Sequence, residues 1–265
     1  MISLSHLQQL KARNEPFGCL TCYDATFAKA MEVAEIETIL IGDSLGMVVQ
    51  GNSSTLPVTI DDMVYHTQAV AKGNQHALLL ADMPFMSYAT LEEALSNARV
   101  LMQAGAHVVK LEGGAWLAET VRQLARGGIP SCIHLGLTPQ SVNVLGGYRV
   151  QGKTREAADQ LLADCEAVVA AGAALLLLEC VPSQLAAEVQ ARFPVPVIGI
   201  GAGPDCDGQV LVMHDMLGLT FGKPARFVRN FMSDSESIVE AFTTFQQAVK
   251  RKDYPAPEHC FQIAL

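Results

Sequence analysis

HALLLADMPFMSYATLEEALSNARVLMQAGAHVVKLE, residues 76–112, holds one full turn of the pattern that decides the fold. It opens on a short apolar run that stops at Asp82 and closes on another that stops at Glu112. Runs of this length, ended by a polar residue, suit strands buried on both faces. Between them, Thr90 and Glu93 have the spacing of a capping box, Leu91–Ala104 has helical periodicity, and Gly105 stands where a helix stops. The stretch therefore predicts strand, helix, strand.

The same unit recurs outward in both directions. Apolar runs end FGCLTCYD at Asp24, TILIGD at Asp43, PSCIHL just past His134, ALLLLE at Glu179, PVIGIGAG at Gly203 and QVLVMHD at Asp215. Helical spacing covers Ala25–Ile36, Ile60–Lys72, Ala115–Arg126, Arg155–Ala171 and Ser183–Arg192, with Gly127 and Gly172 as further stops. Residues 136–152 read as a long loop after the fifth strand. An amphipathic N-terminal helix precedes the series, and a helical stretch Glu236–Lys252 and a tail Tyr254–Leu265 follow it. About eight alternations of strand and helix predict one α/β domain over 1–265, a (β/α)₈ TIM barrel. A doubly wound open sheet is the alternative, because alternation does not prove closure.

Composition agrees with a buried parallel sheet. Half the residues are hydrophobic but only 6% are aromatic, and the mean hydropathy is +0.25. A net charge of −9 without basic runs argues against nucleic acid or an anionic membrane as partner. No apolar run approaches a membrane span, and the N-terminus lacks the pattern of a signal peptide. Seven scattered cysteines suit reduced thiols in a cytosol. Cys19 and Cys22 form a CxxC, but inside an apparent strand they point to opposite faces, and no second pair completes a zinc site.

In a barrel the polar residues that end strands meet at the C-terminal mouth. Asp24, Asp43, Asp82, Glu112, His134 and Glu179 would share one pocket there; each acid alone could equally cap the next helix. Crowded carboxylates need a cation, and Asp43, Asp82 and Glu112 offer the hard oxygens that Mg²⁺ prefers. Such a metal could chelate a 2-oxo acid and stabilise its enolate, with Glu179, behind an apolar strand that would raise its pKa, as the base. Lys110 shares a strand face with Glu112 and could bind the substrate carboxylate, form a Schiff base, or pair with an acid. GIGAG at 199–203 suits either a phosphate loop or close packing. Gly42 and Gly46 suit a ligand's approach or a plain turn. His214 reads as structural.

The motifs TCYDATFAK, IGDSLGMVVQG, STLPVT, YHTQAV, LLLADMPFMSYAT, AGAHVVKLEGG, HLGLTPQSVN, LLLLECVP, VIGIGAG and QVLVMHDMLG, with FVRNF and YPAPEH later, occur in that order. In them the chain closely resembles the ketopantoate hydroxymethyltransferase family. The resemblance implies a barrel of the phosphoenolpyruvate/pyruvate superfamily and a cytoplasmic step of pantothenate synthesis. In that step the one-carbon unit of 5,10-methylenetetrahydrofolate, as co-substrate, is added to 3-methyl-2-oxobutanoate to give 2-dehydropantoate. It further implies one Mg²⁺ per subunit held by Asp43 and Asp82 with Glu112 completing the shell. The oxo acid would contact Asp43, Ser44, Asp82 and Lys110, with His134 lining the site and Glu179 as base. The implied partners are small-molecule substrates and other copies of the chain, commonly in a homodecamer. Asn52-Ser53 departs from the family pattern without touching a residue assigned a role. Rival readings are a lyase or phosphonate-forming mutase of the same superfamily, or a non-catalytic ligand-binding barrel.

Overall fold

The computed structural model describes residues 1–262, so the last three residues of the expected 1–265 domain and its tail lie outside the described residues. The strands are β1 (Phe17–Thr21), β2 (Thr38–Ile41), β3 (Leu78–Asp82), β4 (Val108–Glu112), β5 (Ser131–Gly136), β6 (Leu175–Glu179), β7 (Val197–Ile200) and β8 (Gly208–Leu211). Each pairs in parallel with the next, and β8 returns to β1 with Phe17 opposite Gly208. That last pairing decides for the closed barrel over the open sheet.

The helices, in chain order, are α1 (Leu4–Ala12), α2 (Ala25–Val33), α3 (Leu45–Val48), α4 (Ile60–Gly73), α5 (Leu91–Ala104), α6 (Ala118–Arg126), α7 (Val142–Leu145), α8 (Arg155–Ala171), α9 (Ser183–Arg192), α10 (Met213–Met216) and α11 (Ile238–Lys250). The strong end signals were obeyed. The Thr90 hydroxyl accepts from Glu93 N while the Glu93 carboxylate accepts from Thr90 N, and Gly105 ends α5 at a φ of +117°. Such a left-handed stop favours glycine, which has no Cβ to clash.

Several expected bounds move: the run to Asp215 is strand only to Leu211, with Asp215 on α10, and α2 ends at Val33. Ala115–Arg126 is a 3₁₀ turn, Ala115–Leu117, followed by α6. The loop over 136–152 contains a 3₁₀ turn at Pro139–Ser141, where proline opens the turn, and then α7. Between β7 and β8 no helix intervenes. The helical cover on the other side of that gap comes from α11, which packs Phe242 and Phe245 into the core against β1.

The strands are buried on both faces, as the apolar runs require. All seven cysteines are buried and free, Cys19 and Cys22 included. At the N-terminal end of the barrel, two buried carboxylates tie the terminal helices down. Glu37 accepts from Gly18 N and Gln246 Nε2 and pairs with Lys250. Asp207 accepts from Lys11, Gln190 and Val197 N. No described helix is long and apolar enough to cross a membrane.

Candidate active site

Parallel register assembles the opposite end. Asp82 on β3 stands opposite Lys110 on β4, and Glu112 on β4 stands opposite His134 on β5. Lys110 and Glu112, two apart, share a face, so all four side chains enter the mouth together. Glu179 closes β6 beside Gly136. Asp43 follows β2, where its N–H donates to Asp82 Oδ2 at 3.0 Å. Gly42 is fitted here: a Cβ on it would meet Ser44 Oγ at 2.8 Å and come within 3.6 Å of Asp82 Oδ2.

The charges interlock. Lys110 Nζ lies 2.8 Å from Asp82 Oδ1 and 3.6 Å from Glu112 Oε1. His134 Nδ1 lies 3.2 Å from Glu112 Oε1, and its Nε2 lies 3.2 Å from Glu179 Oε2. Lys110 Nζ is also 3.3 Å from His134 Nδ1. That nitrogen cannot accept from an ammonium and donate to a carboxylate at once; the carboxylate wins if the ring is protonated. Burial and the Lys110 charge act to discharge His134, but Glu112 and Glu179 outweigh them and raise its pKa to about 9. Burial would likewise lower the Lys110 pKa, yet Asp82, Glu112 and Asp43 raise it, which leaves the Schiff-base reading without a neutral amine. For Glu112, burial acts upward, and His134 and Lys110 prevail to hold it below the usual carboxylate range. Asp43 goes the other way: burial first, then Asp82 and Glu112, push it well above that range.

Sequence reasoning missed two residues. Gln140, buried in the loop after β5, donates through Nε2 to Asp43 Oδ2 at 2.8 Å, and its backbone N donates to Glu112 Oε2 at 3.0 Å. Tyr88 donates its hydroxyl to Gln140 Oε1 at 2.6 Å. No spacing marks a glutamine in a Gly- and Pro-containing loop, so only its presence within HLGLTPQSVN pointed there.

One expected member falls outside. Asp24 is the N-cap of α2, accepting from Thr26 N and Phe27 N, and is a cap rather than a member of the pocket. His214, read as structural, packs 5.6 Å from the Tyr23 ring, centroid to centroid. Ser44 stays beside the carboxylates: its Oγ lies 2.8 Å from Tyr23 OH and faces Gly42 next to Asp43. In GIGAG, Cβ atoms at Gly199, Gly201 and Gly203 would strike Cys206, Phe227 and Ser183, so close packing accounts for those glycines. A Cβ at Gly46 would meet Val58, again protein rather than ligand.

The donors suit a divalent cation by charge. Asp43, Asp82, Glu112 and Glu179 oppose only Lys110 and His134, leaving two negative charges in excess if all are ionised. Among the described residues, however, no three His, Cys, Asp or Glu side chains surround one point as a metal cage. Glu112 already has partners on both oxygens. Asp82 Oδ1 is ion-paired with Lys110 Nζ at 2.8 Å, so a cation there would share that oxygen with the ammonium. Mg²⁺ typically takes only one or two carboxylates and fills its octahedron with water and substrate, so this donor set fits it.

The family model for ketopantoate hydroxymethyltransferase matches residues 1–257. The chain belongs to the ketopantoate hydroxymethyltransferase family. Curated relatives agree: a 3-methyl-2-oxobutanoate hydroxymethyltransferase of Acinetobacter baumannii (strain SDF) is 65% identical over 269 residues, covering 100% of both chains. One from Psychrobacter arcticus is 61% identical, covering 98% of this chain and 100% of its own. The chain is thus an enzyme, a hydroxymethyltransferase, and the binding-barrel, lyase and mutase readings are set aside. Solved structures show the same barrel fold. Phosphonopyruvate hydrolase superposes with a TM-score of 0.63 at 12% identity, covering 83% of this chain and 84% of its own. Oxaloacetate acetylhydrolase superposes with a TM-score of 0.61 at 14% identity, covering 94% and 96%.

Proposed function

We propose that the chain, acting as a single barrel domain, transfers the one-carbon unit of 5,10-methylenetetrahydrofolate to 3-methyl-2-oxobutanoate, giving 2-dehydropantoate for pantothenate synthesis. The observation that carries this reading is the convergence of Lys110, Glu112, His134 and Glu179 in one buried cluster with Asp43 and Asp82 beside them. Family membership supplies the substrate, since the close relatives carry it in their name. A barrel of the same fold, phosphonopyruvate hydrolase, was solved with oxalate and Mg²⁺, a ligand pair that resembles a chelated 2-oxo acid.

Asp43 and Asp82 hold one Mg²⁺ per subunit in this proposal, and Glu112, with both oxygens engaged, completes its surroundings. A metal bound there would supply the positive charge that makes the C3 proton of the oxo acid removable. Lys110, held protonated by its carboxylates, binds the substrate carboxylate, and Ser44 offers a hydroxyl beside it. Glu179 takes the C3 proton. His134 orients Glu179 through Nε2 and is itself fixed by Glu112 through Nδ1. Over one turnover the C3 proton is replaced by a hydroxymethyl group. Its carbon comes from the folate methylene and its oxygen from water, and tetrahydrofolate leaves. The free, buried thiols fit a cytoplasmic location, and the family's decamer is the expected assembly.

The direct test is turnover of 3-methyl-2-oxobutanoate with the folate donor, followed by 2-dehydropantoate formation. Absence of product with Mg²⁺ and both substrates present would refute this reading.

A further inference from the structure

Gln140 is 5% exposed, and every polar atom of its side chain is engaged by groups around the pocket. Nε2 donates to Asp43 Oδ2 at 2.8 Å and to the Met83 carbonyl at 3.0 Å, while Oε1 accepts from Tyr88 OH at 2.6 Å. The orientation of the amide is fixed by chemistry. The Met83 carbonyl can only accept, so the atom facing it must be the NH₂ group. Tyr88 OH accepts from Glu112 N at 3.3 Å, and its one proton goes to Gln140 Oε1 at 2.6 Å in preference to the Glu112 carbonyl at 3.3 Å. The backbone of the same residue donates to Glu112 Oε2 at 3.0 Å. One residue on the loop after β5 therefore holds carboxylates that follow β2 and end β4, and anchors both to the chain just after β3.

We propose that Gln140 is a positioning residue for the metal-binding carboxylates: it pins one oxygen of Asp43 so that the other faces the pocket, with Tyr88 setting the direction of its amide. The inference rests on the reading of Asp43 as a metal ligand. Partners of this kind, one shell out from the ligands, typically change metal affinity by 10- to 100-fold when removed. Gln140→Leu keeps the bulk and removes both donors to Asp43 and Met83. Tyr88→Phe keeps the ring, which stacks on Trp116 at 6.3 Å between centroids, and removes only the hydroxyl.

The test is Mn²⁺ binding to the intact protein without substrate, followed by electron paramagnetic resonance, on wild type, Gln140→Leu, Tyr88→Phe and Asp43→Asn. Gln140→Leu should weaken Mn²⁺ by roughly 10- to 100-fold and Tyr88→Phe by a smaller factor, with the double variant no worse than Gln140→Leu alone. A purely structural role would lower the melting temperature and leave Mn²⁺ affinity unchanged. Wild-type affinity in Gln140→Leu, or in Tyr88→Phe should the leucine variant not fold, overturns the proposal. If Asp43→Asn abolishes binding while the Gln140 and Tyr88 variants bind Mn²⁺ with wild-type affinity, this inference alone fails. If Asp43→Asn binds like wild type, the metal assignment fails and takes the inference with it.

Discussion

His134 Nε2 stands 3.2 Å from Glu179 Oε2, so the carboxylate proposed as base is held against an imidazole raised to a pKa of about 9. Glu179→Gln keeps the shape and removes the base. The oxo acid should still bind, and turnover should fall roughly 10²- to 10⁴-fold, the usual contribution of a positioned general base. Exchange of the C3 proton with deuterated water, read by NMR without folate, should slow in parallel. Wild-type exchange in this variant would move the role of base elsewhere, with His134 the next residue to test.

Metal dependence follows from the excess of carboxylates over cations. Chelator should abolish turnover and Mg²⁺ should restore it. Asp43→Ala and Asp82→Ala should lose affinity for metal and for oxo acid together, since the chelate needs both. Calorimetry with each ligand checks this, and oxo acid binding at wild-type strength in either variant would remove that residue from the site.

Burial pushes the Cys19, Cys22 and Cys165 thiols up to about 12, and the other cysteines shift in the same direction. The thiolate is the reactive form, so the folded protein should be nearly inert to an aromatic disulfide reagent at pH 8. After unfolding in guanidinium, all seven should react. Rapid labelling of the native protein would contradict the burial described.

Gly136 has a φ of +87°, and a Cβ there would strike the Glu179 carbonyl and Val181. Gly136→Ala should destabilise the fold by about 1–3 kcal/mol, the range for strained backbone. It should also cost activity, because the displaced segment joins His134 to Gln140. Urea unfolding and turnover measure the two effects.

Sedimentation should show a species much heavier than the 28.4 kDa chain. Phe221, fully exposed, and Leu219 beside it in the loop after α10 are the kind of apolar side chains that association covers. A clean monomer at micromolar concentration would count against the decamer and leave the chemistry untouched.

Much of this was legible in the order of residues, for identifiable reasons. Strands buried on both faces need unbroken apolar runs, and α5 is bounded by a capping box and a glycine, so 76–112 could be read almost to the residue. Register then carried Asp82, Lys110, Glu112 and His134 together without further information. Asp24 was misjudged because strand ends and helix N-caps both select aspartate, and only the hydrogen bonds to Thr26 and Phe27 separate them. Gln140 and Tyr88 were hidden because they reach the pocket from loops, where neither periodicity nor parity says which way a side chain turns.

The two carboxylates at the opposite end of the barrel, Glu37 and Asp207, have a consequence for anyone who would redesign this enzyme. Each fastens a terminal helix through partners remote from the mouth: Gln246 and Lys250 on α11, Lys11 on α1. Robustness and chemistry thus have separate addresses. Substitutions that tighten these clasps can raise tolerance to heat without retuning the reactive groups, and loops around the mouth can be diversified on a frame anchored elsewhere.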